Sequence, residues 1–366
     1  MAGETVNLVG EVMRFIDITP KTAFSMAGLG FLGGMLSGFI GSGGAFIMTP
    51  GMMALGVPGI VAVSSNLAHK FGKAMVGARK HSKMGNVDIR LGICMVIFLL
   101  LGVNIAVFLN KYIFDSMGKA GSNLYISLVF VVLLSYLAIF ILRDIFKPSQ
   151  KHGSIQREGV AKRLTKINIP PMIYFRVANV RVSLWFVALI GLATGWLAGT
   201  VGVGGFIGVP AMIYILGVPT MVAAGTELFL AIFSGASGAF QYALNGFVDI
   251  RLVLLLYLGS LLGLYIGANA TKMVSELQIK LVMAVVIGMS AISRAFAIPK
   301  YLVDLHMANL SEGVTMFLDI AAAITLYGGA IIGVIMIVRY IVRFKQGKRV
   351  DNQYLRRSEH QERDSA

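Results

Sequence analysis

Gly30-x3-Gly34-x3-Gly38-x2-Gly41-Ser42-Gly43-Gly44 opens a pattern that this chain states twice. The stretch returns 161 residues later as Gly191-x3-Gly195-x3-Gly199-x2-Gly202-Val203-Gly204-Gly205. Two further motifs downstream of it are repeated as well. Leu55-Gly56-Val57-Pro58 is answered by Leu216-Gly217-Val218-Pro219, and Gly85-Asn86-Val87-Asp88-Ile89-Arg90 by Gly246-Phe247-Val248-Asp249-Ile250-Arg251. Both copies lie in strongly apolar sequence. A duplicated apolar unit interrupted by glycine and proline is the usual trace of a transporter.

Composition sets the solvent. Of 366 residues, 57% are hydrophobic and only 13% charged, and the mean hydropathy is +0.79. A soluble domain carries about 25% charged residues, so most of this chain must face lipid or the inside of a helical bundle. The net charge of +15 does not indicate nucleic acid, because the cations gather in a few loops and the tail as bilayer topology demands. Cys94 is the single cysteine and sits in an apolar run as a small hydrophobe. Glu4, Glu11 and Asp17 interrupt any apolar core that a secretory signal would need.

Runs long enough to span, about 20 residues each, occur near 22–40, 59–82, 88–110, 122–143, 182–200, 221–245, 249–271, 277–298 and 315–342. Two shorter pieces, 45–56 and 204–217, come directly after the Gly-rich breaks. At 1.5 Å per residue they reach only about 20 Å and read as re-entrant half-helices folded back on the preceding span. Non-helical backbone at membrane depth is tolerated only where it is buried or lines a cavity, so the breaks locate a cavity. The GxxxGxxxG runs let neighbouring helix backbones approach closely.

Segment 1–21 reads as a short amphipathic surface helix, 22–143 as the first repeat, and 144–181 as a basic linker. Then come the second repeat at 182–298, a loop and extra span at 299–342, and a basic tail at 343–366 that is expected to be unstructured beyond Asp351. Placing linker and tail in the cytoplasm puts 23 Lys and Arg inside against five outside, which fixes orientation by the positive-inside rule. The first Gly-x-Val-Asp-Ile-Arg turn then lies inside and the second outside. Each repeat crosses three times and adds a returning hairpin, and an odd number of crossings inverts the second copy. The expected fold is an all-α polytopic membrane protein of two inverted repeats, each a re-entrant half-helix hairpin plus three spans, with an extra C-terminal span.

Several residues could carry chemistry. Gly43-Gly44 and Gly204-Gly205 each open a half-helix, whose free N–H groups and partial positive charge suit an anion. The alternative is that these glycines only permit the tight turn. Neither loop has the Lys-Ser/Thr ending of a nucleotide-binding P-loop. Asn66, His69, Lys70 and Lys73 form one stripe of a helix. An ionised Lys70 facing lipid would cost at least about 2.5–3.5 kcal/mol, so it should face the bundle interior and a partner. Lys73 can instead snorkel to the surface. His69 is either a hydrogen-bonded interior residue or a proton carrier. Glu227 stands where Asn66 stands in the first copy, and reads either as a counter-charge for Lys70 or as a proton-coupling carboxylate. Asp88, Arg90, Asp249 and Arg251 most simply cap and fix the two turns.

These duplicated motifs together resemble the sulfite exporter (TauE/SafE) family of membrane permeases over about residues 22–298. The resemblance implies a transporter of small anions: sulfite, sulfonates, thiosulfate and related sulfur or carboxylate anions. The linker, the final span 315–342 and the N-terminal segment depart from it. The expected substrate site comprises Ser42, Gly43, Gly44, Ser65, Asn66, Lys70, Gly202, Gly204, Gly205 and Thr226, with Glu227 and His69 as coupling candidates, and needs neither cofactor nor metal. The expected partners are the small anion and the lipid bilayer of the inner membrane, with the N-terminus outside and the C-terminus cytoplasmic; oligomeric state is not legible. An outward-moving anion gains about 2.3 kcal/mol per charge per 100 mV, which favours export, while Glu227 keeps proton-coupled import open. An anion channel with the same site is a further alternative. An intramembrane hydrolase is disfavoured, since His69 has no matched nucleophile and no HExxH helix occurs.

Overall fold

A computed structural model describes residues 16–40, 44–146, 169–271 and 273–364. Its helices are α1 (Pro20–Ile40), α2 (Ala45–Ala54), α3 (Gly59–Lys83), α4 (Ile89–Phe146), α5 (Leu184–Val201), α6 (Gly205–Tyr214), α7 (Thr220–Leu244), α8 (Ile250–Thr271), α9 (Glu276–Asp304) and α10 (Glu312–Asp364). Seven helices among the described residues are long and apolar enough to cross a membrane. One of them, α4, has 58 residues and breaks at Gly118, whose φ of 63° and ψ of −157° lie outside helical space, so 89–117 and 119–146 are separate limbs. The α3 helix has 25 residues but is not among the seven. Lys70, Lys73, Arg79, Lys80 and Lys83 all lie within it, and their charge outweighs its length.

The two short helices have ten residues each, about 15 Å of rise. Both fold back along the helix before them. A side chain at Gly33 would meet Met48, and one at Gly51 would meet Leu29, so α2 runs antiparallel to α1. Gly204 and Gly208 both abut Thr194, which sets α6 against α5 in the same way. The half-helices end alike. Gly56 and Gly217 take positive φ of 94° and 77°, a conformation open to glycine. Pro58 and Pro219 then precede α3 and α7 with φ/ψ of −56°/140° and −57°/140°.

Long-range packing is reciprocal between the copies. Gly30, Gly34 and Gly38 of α1 lie against the backbones of Leu256, Ser260 and Leu264 of α8, and Gly259, Gly263 and Gly267 of α8 lie against Ala27, Phe31 and Met35 in return. The corresponding residues of the second copy do the same: Gly191, Gly195 and Gly199 of α5 press on Met95, Leu99 and Val103 of α4. Each copy's first helix thus packs, in parallel, against the other copy's fourth. The equivalent helices α3 and α7 meet each other. Gly238 contacts Leu67, Gly235 contacts Phe71, and Gly77 contacts Leu228, so residue numbers rise in opposite directions and the two run antiparallel. The α9 helix packs on α4 and on α10. One continuous apolar core, from Met26 and Phe39 through Phe130 to Leu256 and Ile337, crosses both copies.

Two features depart from the picture drawn by the sequence, and one residue within a span is buried with its charge. Residues 172–183 of the linker form an antiparallel hairpin, β1 (Met172–Phe175) with β2 (Val180–Ser183), paired Ile173 to Val182 and Phe175 to Val180. Its turn is anchored, since Ala178 N–H donates to Asp88 Oδ2 over 2.9 Å. The tail is helical as far as Asp364, where interleaved charges and the absence of glycine and proline beyond Gly347 leave nothing to break a helix. Arg294 is 1% exposed. Its Nη2 donates to Ser293 Oγ at 3.3 Å, while Nε and Nη1 have no hydrogen-bond partner among the described residues. The amphipathic segment expected at 1–21 lies outside the described residues up to position 15.

Candidate functional site

The two half-helices approach one another at their N-terminal turns. Phe46, second residue of α2, and Phe206, second residue of α6, meet edge to face with ring centroids 5.2 Å apart. The half-helix α2 and the helices packed on the pair, α3, α5 and α7, also carry buried polar groups.

On the α3 side, Asn66 Nδ2 donates to Thr49 Oγ1 over 2.9 Å, and Thr49 Oγ1 donates on to the carbonyl of Val201 at 3.4 Å. Gly202 ends α5 in a left-handed conformation with φ 81°. A side chain there would meet Asn66 Nδ2 and Thr49 Oγ1. Asn66 and Gly202, expected as site residues from opposite copies, are therefore neighbours.

On the α7 side, Glu227 is 6% exposed and its carboxylate lies on the first turn of α6. A Cβ built on Gly205 would sit 3.3 Å from Glu227 Oε1, and one on Gly208 would collide with Oε2. Gly208 thus makes the space that admits the carboxyl group, and Gly205 relieves the contact beside it. Among the described residues Glu227 Oε2 has no hydrogen-bond partner, nor has the adjacent Thr194 Oγ1. Lys70 Nζ is also buried without a partner there, although it lies near enough to Glu227 for each charge to act on the other.

Other expected residues have defined places. His69 is fully buried; its Nε2 shares a 2.7 Å hydrogen bond with Ser260 Oγ, and its ring lies 4.6 Å from that of Tyr257. Tyr257 O–H in turn donates to the His69 carbonyl over 2.7 Å. Ser65 and Thr226 form a matched pair. The N–H of Asp249 donates to Ser65 Oγ at 3.4 Å, and the N–H of Asp88 donates to Thr226 Oγ1 at 3.1 Å. Each hydroxyl thus holds the turn of the other copy. Asp88 Oδ1 accepts from Leu91 N–H over 3.0 Å as a helix cap, and Asp249 pairs with Arg251 at 2.8 Å. Gly44 and Gly204 are closed off: a side chain on Gly44 would strike the Gly33 carbonyl and Ser37, and one on Gly204 would meet Ala198 and Thr194. Ser42 and Gly43 lie outside the described residues.

One duplicated device was missed in the sequence. Asn110 Nδ2 donates to the carbonyls of Gly199 and Thr200 at 3.3 and 3.2 Å, and the single hydroxyl hydrogen of Thr271 has the carbonyls of Gly38, Phe39 and, in its own helix, Gly267 at 3.4, 3.2 and 3.1 Å as alternative acceptors. These two residues hold corresponding positions and satisfy the carbonyls left over where each first helix is broken. Because one is Asn and the other Thr, matching of identical residues passes over them.

Comparison with known proteins agrees with this architecture. The family model described as Sulfite exporter TauE/SafE matches residues 26–294, most of the chain. Among curated proteins of Bacillus subtilis (strain 168), the chain is similar to "Probable membrane transporter protein YdhB", 25% identical over 255 residues that cover 68% of this chain and 91% of that protein. It is also similar to "Probable membrane transporter protein YunE", 23% identical over 71% of this chain and 92% of that one. "Probable membrane transporter protein YjnA" is 23% identical over 72% and 96% respectively. No solved structure matches.

Proposed function

The chain belongs to the sulfite exporter TauE/SafE family, and on that premise we propose that this multi-pass membrane transporter is a secondary carrier for a small anion. Sulfite, a sulfonate or a related sulfur-containing anion is the substrate class, and export across the inner membrane is the favoured direction. The observation that carries this reading is Lys70. Its ammonium is buried with no hydrogen-bond partner among the described residues, Glu227 being the acid whose charge acts on it, and a buried charge whose hydrogen bonds are unmade costs several kcal/mol. A negative ligand bound beside it removes that cost. Asn66 and the first turn of α6 supply further donors. Ser65 and Thr226 would shape the same helix faces while holding the turns.

In this reading the copies are inverted repeats that rock about a site near the bilayer midplane. Support comes from the antiparallel contact of α3 with α7, the meeting expected of equivalent helices related by a twofold axis in the membrane plane. The Lys and Arg distribution puts the linker and the C-terminal tail in the cytoplasm and the N-terminus outside. With the cytoplasm negative, each net negative charge moved outward gains about 2.3 kcal/mol per 100 mV, which favours export of a dianion.

The test is anion flux in proteoliposomes. Lys70→Ala should abolish counterflow of labelled sulfite or thiosulfate while the purified protein stays folded, and Lys70→Arg should keep a measurable part. Undiminished flux in Lys70→Ala would remove Lys70 from the site. Saturation and counter-exchange in the parent protein distinguish a carrier from an anion channel.

A further inference from the structure

The geometry points to Glu227 as a resident anion: its carboxylate is seated on the first turn of α6, and substrate binds beside Lys70 only after that carboxylate has taken up a proton, so that each anion travels with one proton. The inference rests on the anion-carrier reading and names the coupling ion of that same site.

Three observations carry it. The first is asymmetry. The position equivalent to Glu227 in the first copy is Asn66, which is buried and engages Thr49. A neutral amide therefore satisfies the fold at this place in the repeat, and a carboxylate there is an addition. The second is the seat. Gly208 lacks the side chain that would exclude Glu227 Oε2, and Gly205 leaves room beside Oε1. The carboxyl group thus occupies the space beside the first turn of α6, near the positive end of the helix dipole. The third is the unmet bonding. Glu227 Oε2 and Thr194 Oγ1 are both buried without partners among the described residues. A protonated carboxyl group donates where the carboxylate can only accept, and a hydroxyl does both, so Thr194 Oγ1, across Gly208 from Oε2, can serve either protonation state.

The charged surroundings of Glu227 are sparse. From α3 comes Lys70, with His69 and Lys73 further along the same stripe. From the start of α4 comes Asp88, held behind Thr226 by the Asp88 N–H and itself occupied by Leu91 and Ala178. The facing parts of α5 and α6 offer Thr194, Gly205 and Gly208, none of which titrates. Among these groups Lys70 is the cation whose charge acts on Glu227, and the same ammonium faces the incoming anion. Two anions sharing it in a low-dielectric interior repel each other strongly, and neutralising Glu227 by protonation removes that repulsion without moving the backbone. On release of the substrate the proton leaves and the carboxylate again compensates Lys70.

The experiment uses full-length protein in proteoliposomes with a trapped pH indicator and a clamped membrane potential. Thiosulfate, methanesulfonate and isethionate serve as probes, because anions of strong acids bring no proton of their own. The parent protein should move one proton per anion, and should accumulate the anion about tenfold for each unit of imposed pH difference. Glu227→Gln, fixed in the uncharged form, should exchange anion for anion while moving no protons and accumulating nothing. Anion flux in the parent protein without protons overturns the inference, and so does a Glu227→Gln variant that still accumulates tenfold per pH unit. Should that variant fail to fold, the proton count of the parent protein decides alone. Absence of all anion flux in the parent protein would instead overturn the carrier reading itself.

Discussion

The backbone N–H of Asp88 donates to the hydroxyl of Thr226 across 3.1 Å, tying the turn before α4 to α7, the third helix of the other copy. Its counterpart links Asp249 to Ser65. Both hydroxyls are fully buried, so the amide each receives has no water to fall back on. Thr226→Val, which keeps the shape and removes the acceptor, should cost about 1–3 kcal/mol. Thermal unfolding in detergent should show a lower transition for Thr226→Val and a near-normal one for Thr226→Ser.

The glycine stripe of α1 makes a sharper contrast. A Cβ on Gly34 would run into the backbone of Ser260, whereas one on Gly28 would meet nothing within 4 Å. Gly34→Val should therefore prevent assembly of α1 on α8, read as loss of a monodisperse species on size-exclusion chromatography. Gly28→Ala should be neutral or gain about 0.5–1 kcal/mol from the lower chain entropy of alanine.

Removing the donor at the end of a broken helix should have matching effects in the two copies. Asn110→Ala removes a donor from the carbonyls of Gly199 and Thr200, of which Gly199 keeps the Tyr242 O–H at 2.9 Å, and Thr271→Ala removes the one hydroxyl hydrogen offered to Gly38, Phe39 and Gly267. Each should lower stability by about 1–3 kcal/mol. Asn110→Ala should be the more damaging, since Asn110 Nδ2 also reaches Tyr242 Oη at 2.6 Å. Equal melting temperatures for Asn110→Ala and the parent protein would contradict this account.

Gly118 divides α4 with φ 63° and ψ −157°, a region essentially reserved to glycine. Gly118→Ala should cost about 1–3 kcal/mol, although no neighbour lies within 4 Å of the added methyl group. A shift in thermal stability without any steric cause would mark the backbone itself as its origin.

What could be read from the sequence depended on whether a signal was local and repeated. The half-helices at 45–54 and 205–214 were legible because glycine before and Leu-Gly-Val-Pro after bracket each one. The close approach of α1 to another helix was legible in the four-residue glycine spacing, but its partner was not. The stripe Gly259, Gly263 and Gly267 that receives it has only Gly102 as a counterpart in the first copy, at Gly263's place. The hairpin at 172–183 was hidden because its alternating apolar residues sit in a basic linker that is too polar overall to suggest structure. The seat of Glu227 was hidden for another reason: whether a buried acid faces a lysine or a helix end depends on helix rotation, which periodicity alone leaves open. The glycines at 44 and 204 carried a double reading in the sequence, and both are pressed against the helix before them.

The exchange of first and fourth helices has a further consequence. Neither copy alone can cover its own glycine grooves, because the surface that fills them is encoded in the other copy. A chain severed anywhere in 147–168 should consequently yield two pieces that are insoluble or degraded when made singly, yet reconstitute a working protein when produced together in one cell.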